Sequence, residues 1–208
     1  MLTREVKMGW SQKTIVMLIL AFLLASCGGA GNDPGNNNNN TDTSPPDTSI
    51  SSGPDDPTGS TDATFIFAST ENGSSFECSI DGANYTACTS PENDTGLSEG
   101  SHIFAVRAID AAGNVDPTPA TYAWTIDVTP PDTSVSSGPA NPTTSTDATF
   151  TFASTEAGSR FECRIDGGVY AACASPENYT GLSVGSHTFE VRSIDAVGNT
   201  DPTPASIA

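Results

Sequence analysis

The chain has 208 residues and is strongly acidic, with 25 Asp and Glu against 7 Lys and Arg. Arg4, Lys7 and Lys13 precede the first apolar run, which leaves four arginines against 24 acids, and no lysine, in the remainder. Such a surface repels phosphate backbones and argues against nucleic-acid binding, while favouring solubility and attracting divalent cations.

Residues 1–26 read as an export signal, a basic segment followed by the apolar run Ile15–Ala25. That run is shorter than the ~20 residues a membrane-spanning helix needs. Its end, Leu24-Ala25-Ser26-Cys27, resembles the lipobox of bacterial lipoproteins. The resemblance implies cleavage before Cys27 and acylation of its thiol, palmitate among the chains, and of its new amino group. Several acyl chains anchor stably where one does not. By that family's sorting pattern, Gly28 after the cysteine implies the outer membrane. An ordinary signal peptide with an incidental cysteine is the alternative. Residues 27–44 lack large apolar side chains and read as a disordered Asn- and Gly-rich tether.

From Pro45 the sequence repeats. Pro45 aligns with Pro130, and the 85-residue offset holds to Ala208 with 58 of 79 positions identical. Residues 45–129 and 130–208 are therefore two copies of one fold. The first copy predicts strands at Asp47–Ser51, Asp62–Ser69, Ser75–Ile80, Tyr85–Cys88, Ser101–Asp110 and Ala120–Asp127, with a short edge at Thr95–Leu97. Alternation places Ala63, Phe65 and Phe67 on one face, as it does Phe76, Cys78 and Ile80, Phe104 and Val106, and Tyr122, Trp124 and Ile126. Short strands separated by turns, with no helical period beyond the signal, imply an all-β antiparallel sandwich in each copy.

The five cysteines divide into Cys27 and two pairs in an exported, disulfide-permissive setting. If the chain folds back around Ala83, Cys78 faces Cys88. The turn at Asp166-Gly167-Gly168 brings Cys163 to Cys173 in the same way. Closing each eleven-residue loop adds ~2.5–3 kcal/mol, which matters in a domain with so small a core.

The series FECSIDG, then SP, then TGLSEGSHIFAVRAIDAAGNVDPTPATYAWTID resembles the bacterial Ig-like repeats of large secreted and surface proteins. The resemblance covers residues 45–208. It implies tandem Ig-like (fibronectin III-like) β-sandwiches acting as spacers, stalks or adhesive modules, and it supplies no catalytic residues.

His102 and His187 occupy equivalent positions without a second ligand at metal spacing. Asp110-Ala-Ala-Gly113-Asn114-Val-Asp116 and Asp195-Ala-Val-Gly198-Asn199-Thr-Asp201 read as glycine-bearing hairpin turns. Alternatively, Asp110, Asn114, Asp116, Asp195, Asn199 and Asp201, joined by Asp127 and Asp132 of the connection DVTPPD, supply oxygen ligands for calcium between the copies. Tyr85 and Tyr170 either pack on neighbouring strands or stack on sugar rings.

The second copy reaches Ser206-Ile207-Ala208 without a counterpart of Trp124. It is expected to be weaker, to be open to strand addition, or to belong to a longer repeat protein. These readings combine into a non-enzymatic, surface-anchored lipoprotein of the cell envelope, presenting Ig-like modules to glycan or protein ligands. The alternative is a carbohydrate-binding accessory module of a larger polysaccharide-active protein.

Overall fold

A computed structural model describes residues 42–208. The signal peptide, Cys27 and all of the tether before Asp42 lie outside the described residues. The described chain is part of one compact unit, Thr41–Ala208.

The first repeat contains β1 (Thr48–Ser52), β2 (Ala63–Ser69), β3 (Ser75–Ile80), β4 (Thr86–Cys88), β5 (Glu92–Asp94), β6 (Gly100–Ile109) and β7 (Ala120–Ile126). The second contains β8 (Thr133–Ser137), β9 (Ala148–Ser154), β10 (Arg160–Ile165), β11 (Ala171–Cys173), β12 (Glu177–Tyr179), β13 (Phe189–Ile194) and β14 (Ala205–Ile207). Each repeat is a sandwich of two antiparallel sheets. In the first, β1-β2-β5 faces β4-β3-β6-β7; in the second, β8-β9-β12 faces β11-β10-β13-β14.

Alternation positions the cores. Phe65, Phe67, Phe104, Val106, Trp124 and Ile126 turn inward and are buried. Phe65 and Phe104 stack across the two sheets with centroids 4.0 Å apart, and Trp124 meets Phe65 edge-on at 5.2 Å. Burying each such ring stabilises by ~1.5–3 kcal/mol. The second core reproduces the stack with Phe150 and Phe189 at 4.1 Å. It has no tryptophan. Tyr179, at the position of Asp94, instead lays its ring against Phe150 and Phe189 from the edge strand β12.

Two expectations require correction. The short edge strand is Glu92–Asp94, not Thr95–Leu97. An edge strand needs backbone pairing more than apolar side chains: Glu92, Asn93 and Asp94 pair with Phe65, Thr64 and Ala63, and the Thr64 hydroxyl bonds to Asn93. Leu97 packs on the core from a loop. The cysteine hairpin turns at Asp81-Gly82, both at positive φ, rather than at Ala83. One extra residue in the returning chain then places Thr86 opposite Cys78 and Cys88 opposite Phe76. The Cys78–Cys88 disulfide spans this diagonal with Cα atoms 5.8 Å apart, as does Cys163–Cys173. That separation lies in the ordinary disulfide range.

Candidate functional site at the base of each repeat

The strongest clustering of chemical groups lies where the chain enters a sandwich. Asp127 follows β7, Glu156 sits in the turn after β9, and Asp195 follows β13. One carboxylate oxygen from each lies within 4.8 Å of the others. Asp42, Glu71 and Asp110 form the same cluster at the base of the first repeat. Burial and the facing charges of Asp127, Asp195 and Glu99 push the Glu156 carboxyl up from its usual range.

A turn organises this corner. Asp195 Oδ1 accepts the amides of Val197, Gly198 and Asn199 at 3.0, 2.6 and 2.8 Å. Gly198 adopts φ of 102°, a conformation that glycine reaches without strain. Asn199 Nδ2 donates to Asp195 Oδ2 at 2.7 Å and to the Asp127 carbonyl at 3.0 Å. The turn is thereby tied to the chain arriving from the first repeat. Asn114 makes the same two contacts with Asp110 and the Asp42 carbonyl. These hydrogen bonds, led by the Asn114 side chain, lower the Asp110 pKa.

The structure thus brings together Asp110, Asp127 and Asp195 of the expected calcium ligands and adds Asp42, Glu71 and Glu156, which sequence reading missed. Asn114 and Asn199 serve the clusters as backbone clamps. Asp116 and Asp201 turn away into the protein and are 2% exposed. Burial alone would raise the Asp201 carboxyl, but hydrogen bonds from Thr133 and Thr203 hold it below its usual value. Asp201 braces the start of β8 in this way. Asp132 is exposed, and its amide bonds to the Thr155 hydroxyl.

The histidines are built into the fold. His102 Nδ1 lies 2.7 Å from Asp81 Oδ2, and Nε2 lies 2.7 Å from the Ser98 carbonyl. Both partners accept, so the imidazolium satisfies both. The Ser98 carbonyl and then Asp81 raise the His102 pKa. His187 repeats the pair with Asp166 and Ser183. An open depression of about 760 Å³ beside Asp81, Tyr85 and His102 is lined by this same engaged pair.

Tyr85 carries the Arg107 guanidinium over its ring at 4.2 Å, and Tyr170 carries Arg164 and Arg192 at 4.4 and 4.2 Å. The arginines are in turn paired: Arg107 with Glu77, Arg192 with Glu162 and Arg164 with Glu190. Both tyrosines therefore belong to cross-strand clusters on the outer sheet face.

No family model matches the chain, and no curated protein matches it. Solved structures with a similar fold include the fibronectin(III)-like modules of Clostridium thermocellum CbhA. These are 15% identical, over 77% of this chain and 92% of that one, with a TM-score of 0.42. A bacterial ice-binding adhesin is 12% identical over 80% of this chain and 64% of that one, with a TM-score of 0.45. A tetra-tandem repeat from the extending region of a large adhesion protein is 17% identical, over 78% and 48%, with a TM-score of 0.27. The chain thus spans less than two thirds of both adhesin structures. The fold is a tandem of fibronectin(III)-like β-sandwiches.

Proposed function

We propose that the chain is a non-enzymatic, surface-anchored lipoprotein in which residues 45–129 and 130–208 serve as spacer and adhesion modules at the cell envelope. The single observation that carries this reading is the identical base of the two repeats. Asn114 and Asn199 bind the backbone of the preceding residues in the same way, beside the same three acids. A joint repeated with its geometry intact is what a stalk needs. The histidines, arginines and buried carboxylates meanwhile act as bracing.

The anchor is Cys27, acylated after export. Its test is metabolic labelling with an alkyne palmitate analogue in a bacterial host, with an epitope tag at the C-terminus and antibody access measured on intact cells. The expected result is a labelled, accessible wild-type chain and an unlabelled Cys27→Ser chain. A wild-type chain that is exported but unlabelled, or that is inaccessible, would refute anchoring at the surface.

The acids at each base are proposed to take calcium, which favours six to eight oxygen ligands. In the second repeat these would be Asp127, Glu156 and Asp195, with water completing the shell. Calcium there would stiffen the joint by relieving repulsion among the carboxylates. Carbohydrate binding is the competing reading. The arginines over Tyr85 and Tyr170 leave it less support, and a glycan screen with Tyr85→Ala and Tyr170→Ala tests it.

A further inference from the structure

In the first repeat the second half of β7 lies in a slot with two hydrogen-bonding walls. On one side Ala123, Trp124, Thr125 and Ile126 pair with Ile103, His102, Ser101 and Gly100 of β6. On the other, the Thr58 amide donates to the Thr125 carbonyl and the Asp127 amide to the Thr58 carbonyl, both at 2.9 Å. Asp56 Oδ1 also accepts the Thr125 amide at 3.0 Å.

The second repeat carries the same walls around a slot that β14 only half fills. Ala205, Ser206 and Ile207 pair with Val191, Glu190 and Phe189, and the ladder stops there. Gly185, Ser186 and His187 match Gly100, Ser101 and His102 in identity. They belong to no strand, and β13 begins only at Phe189. Thr143, at the position of Thr58, forms no backbone pair of the Thr58 kind among the described residues. Asn141, at the position of Asp56, bonds through Nδ2 to the Ala208 carbonyl. The side chain of His187 is 21% exposed, against 6% for His102 beneath Trp124. Val184 stands fully in solvent beside the gap.

We propose that the second repeat is a strand acceptor, taking from another polypeptide an extended segment of the β7 type. Its tryptophan would cover His187 and its isoleucine would pair with Gly185. The occupant's chemistry is set by the first repeat, which holds that segment between identical walls, and by continuity with the β13–β14 ladder. A free strand edge above an apolar core is the usual requirement for strand addition. A donor of the full β7 pattern replaces Ala205–Ala208 and supplies the tyrosine, tryptophan and isoleucine that β14 lacks.

The test is amide hydrogen exchange on the full chain in mild detergent, with a synthetic peptide of the Ala120–Asp127 sequence, ATYAWTID. The expected result is exchange at Gly185–Thr188 slowed about ten-fold or more, with no change at Gly100–Ile103. A peptide with serine in place of its Trp and Ile should give no protection. A second arm adds Trp-Thr-Ile-Asp after Ala208. Protection by this extension alone would show that the slot accepts a strand only from its own chain and would overturn the proposal. Protection in neither arm would overturn it as well.

Discussion

Trp124 lies opposite His102 in the register of β6 and β7, with ring centroids 5.4 Å apart, and roofs an imidazole that is already hydrogen-bonded at both nitrogens. His187 has the same two bonds and no roof among the described residues. This one relationship accounts for much of the difference between two otherwise near-identical sandwiches.

Trp124→Ala should destabilise the first repeat by ~3–5 kcal/mol, the usual cost of removing a large aromatic from a core. The wild-type chain should melt in two steps, the second repeat first, and the variant should bring the two steps together. Differential scanning calorimetry reads this directly. An unchanged upper transition would show that the tryptophan does not hold the first core.

The two histidine–aspartate pairs impose a pH window. His102 is raised above its ordinary 6.5, so its contribution is complete below that value and is lost as pH rises through the higher folded value. For Asp81, burial works against ionisation, but bonds from the Ile103 amide and His102 outweigh it and lower the pKa from 3.8. Its contribution is present above that value and is lost as pH falls through the folded value. Stability of the first repeat should therefore be greatest between these two ordinary values and decline on the alkaline side. His102→Gln should flatten that alkaline decline. NMR titration of the imidazole checks the direction, and a His102 pKa below 6.5 would contradict it.

Glu156 separates repulsion from cation binding. Its raised pKa means that ionisation disfavours the folded state, so Glu156→Gln should slightly raise the melting temperature in chelator at neutral pH. The same substitution should reduce the further rise produced by millimolar calcium. If wild type and variant respond identically to calcium, these three acids do not hold it.

Gly53 lies beneath the Tyr122 ring, and a Cβ built there would come within 2.7 Å of the ring carbon Cζ. The Tyr122 hydroxyl meanwhile donates to the Pro54 carbonyl at 2.6 Å, which fixes the ring in place. Gly53→Ala should cost ~1–3 kcal/mol through overpacking. Adding Tyr122→Phe should release the ring and recover part of that loss, measured by urea denaturation.

Alternation made most of the strands legible in sequence, because Phe65, Phe67, Phe104 and Trp124 fall on single faces and every apolar side chain must find the core. The polar strand Glu92-Asn93-Asp94 was not legible, since a strand that borders solvent carries no such period. The base clusters were only half visible. Asp110 and Asp195 stand in a recognisable turn, whereas Glu71 and Glu156 reach them only through the folded sandwich. The signal available was that Asp42 and Glu71 recur as Asp127 and Glu156 at the same offset as the repeat. Asp116 and Asp201 read as surface ligands because composition cannot show that Thr133 and its counterpart await them inside.

The claim that these modules act as a spacer is tested most directly by pulling the chain from its two ends and recording force against extension. A stalk of two sandwiches predicts two discrete unfolding events, the weaker from the second repeat. Each should be shortened by the residues sealed between its cysteines and should lengthen on reduction. Extension at negligible force, with no discrete events, would show that the repeats cannot hold a spacing and would contradict the account.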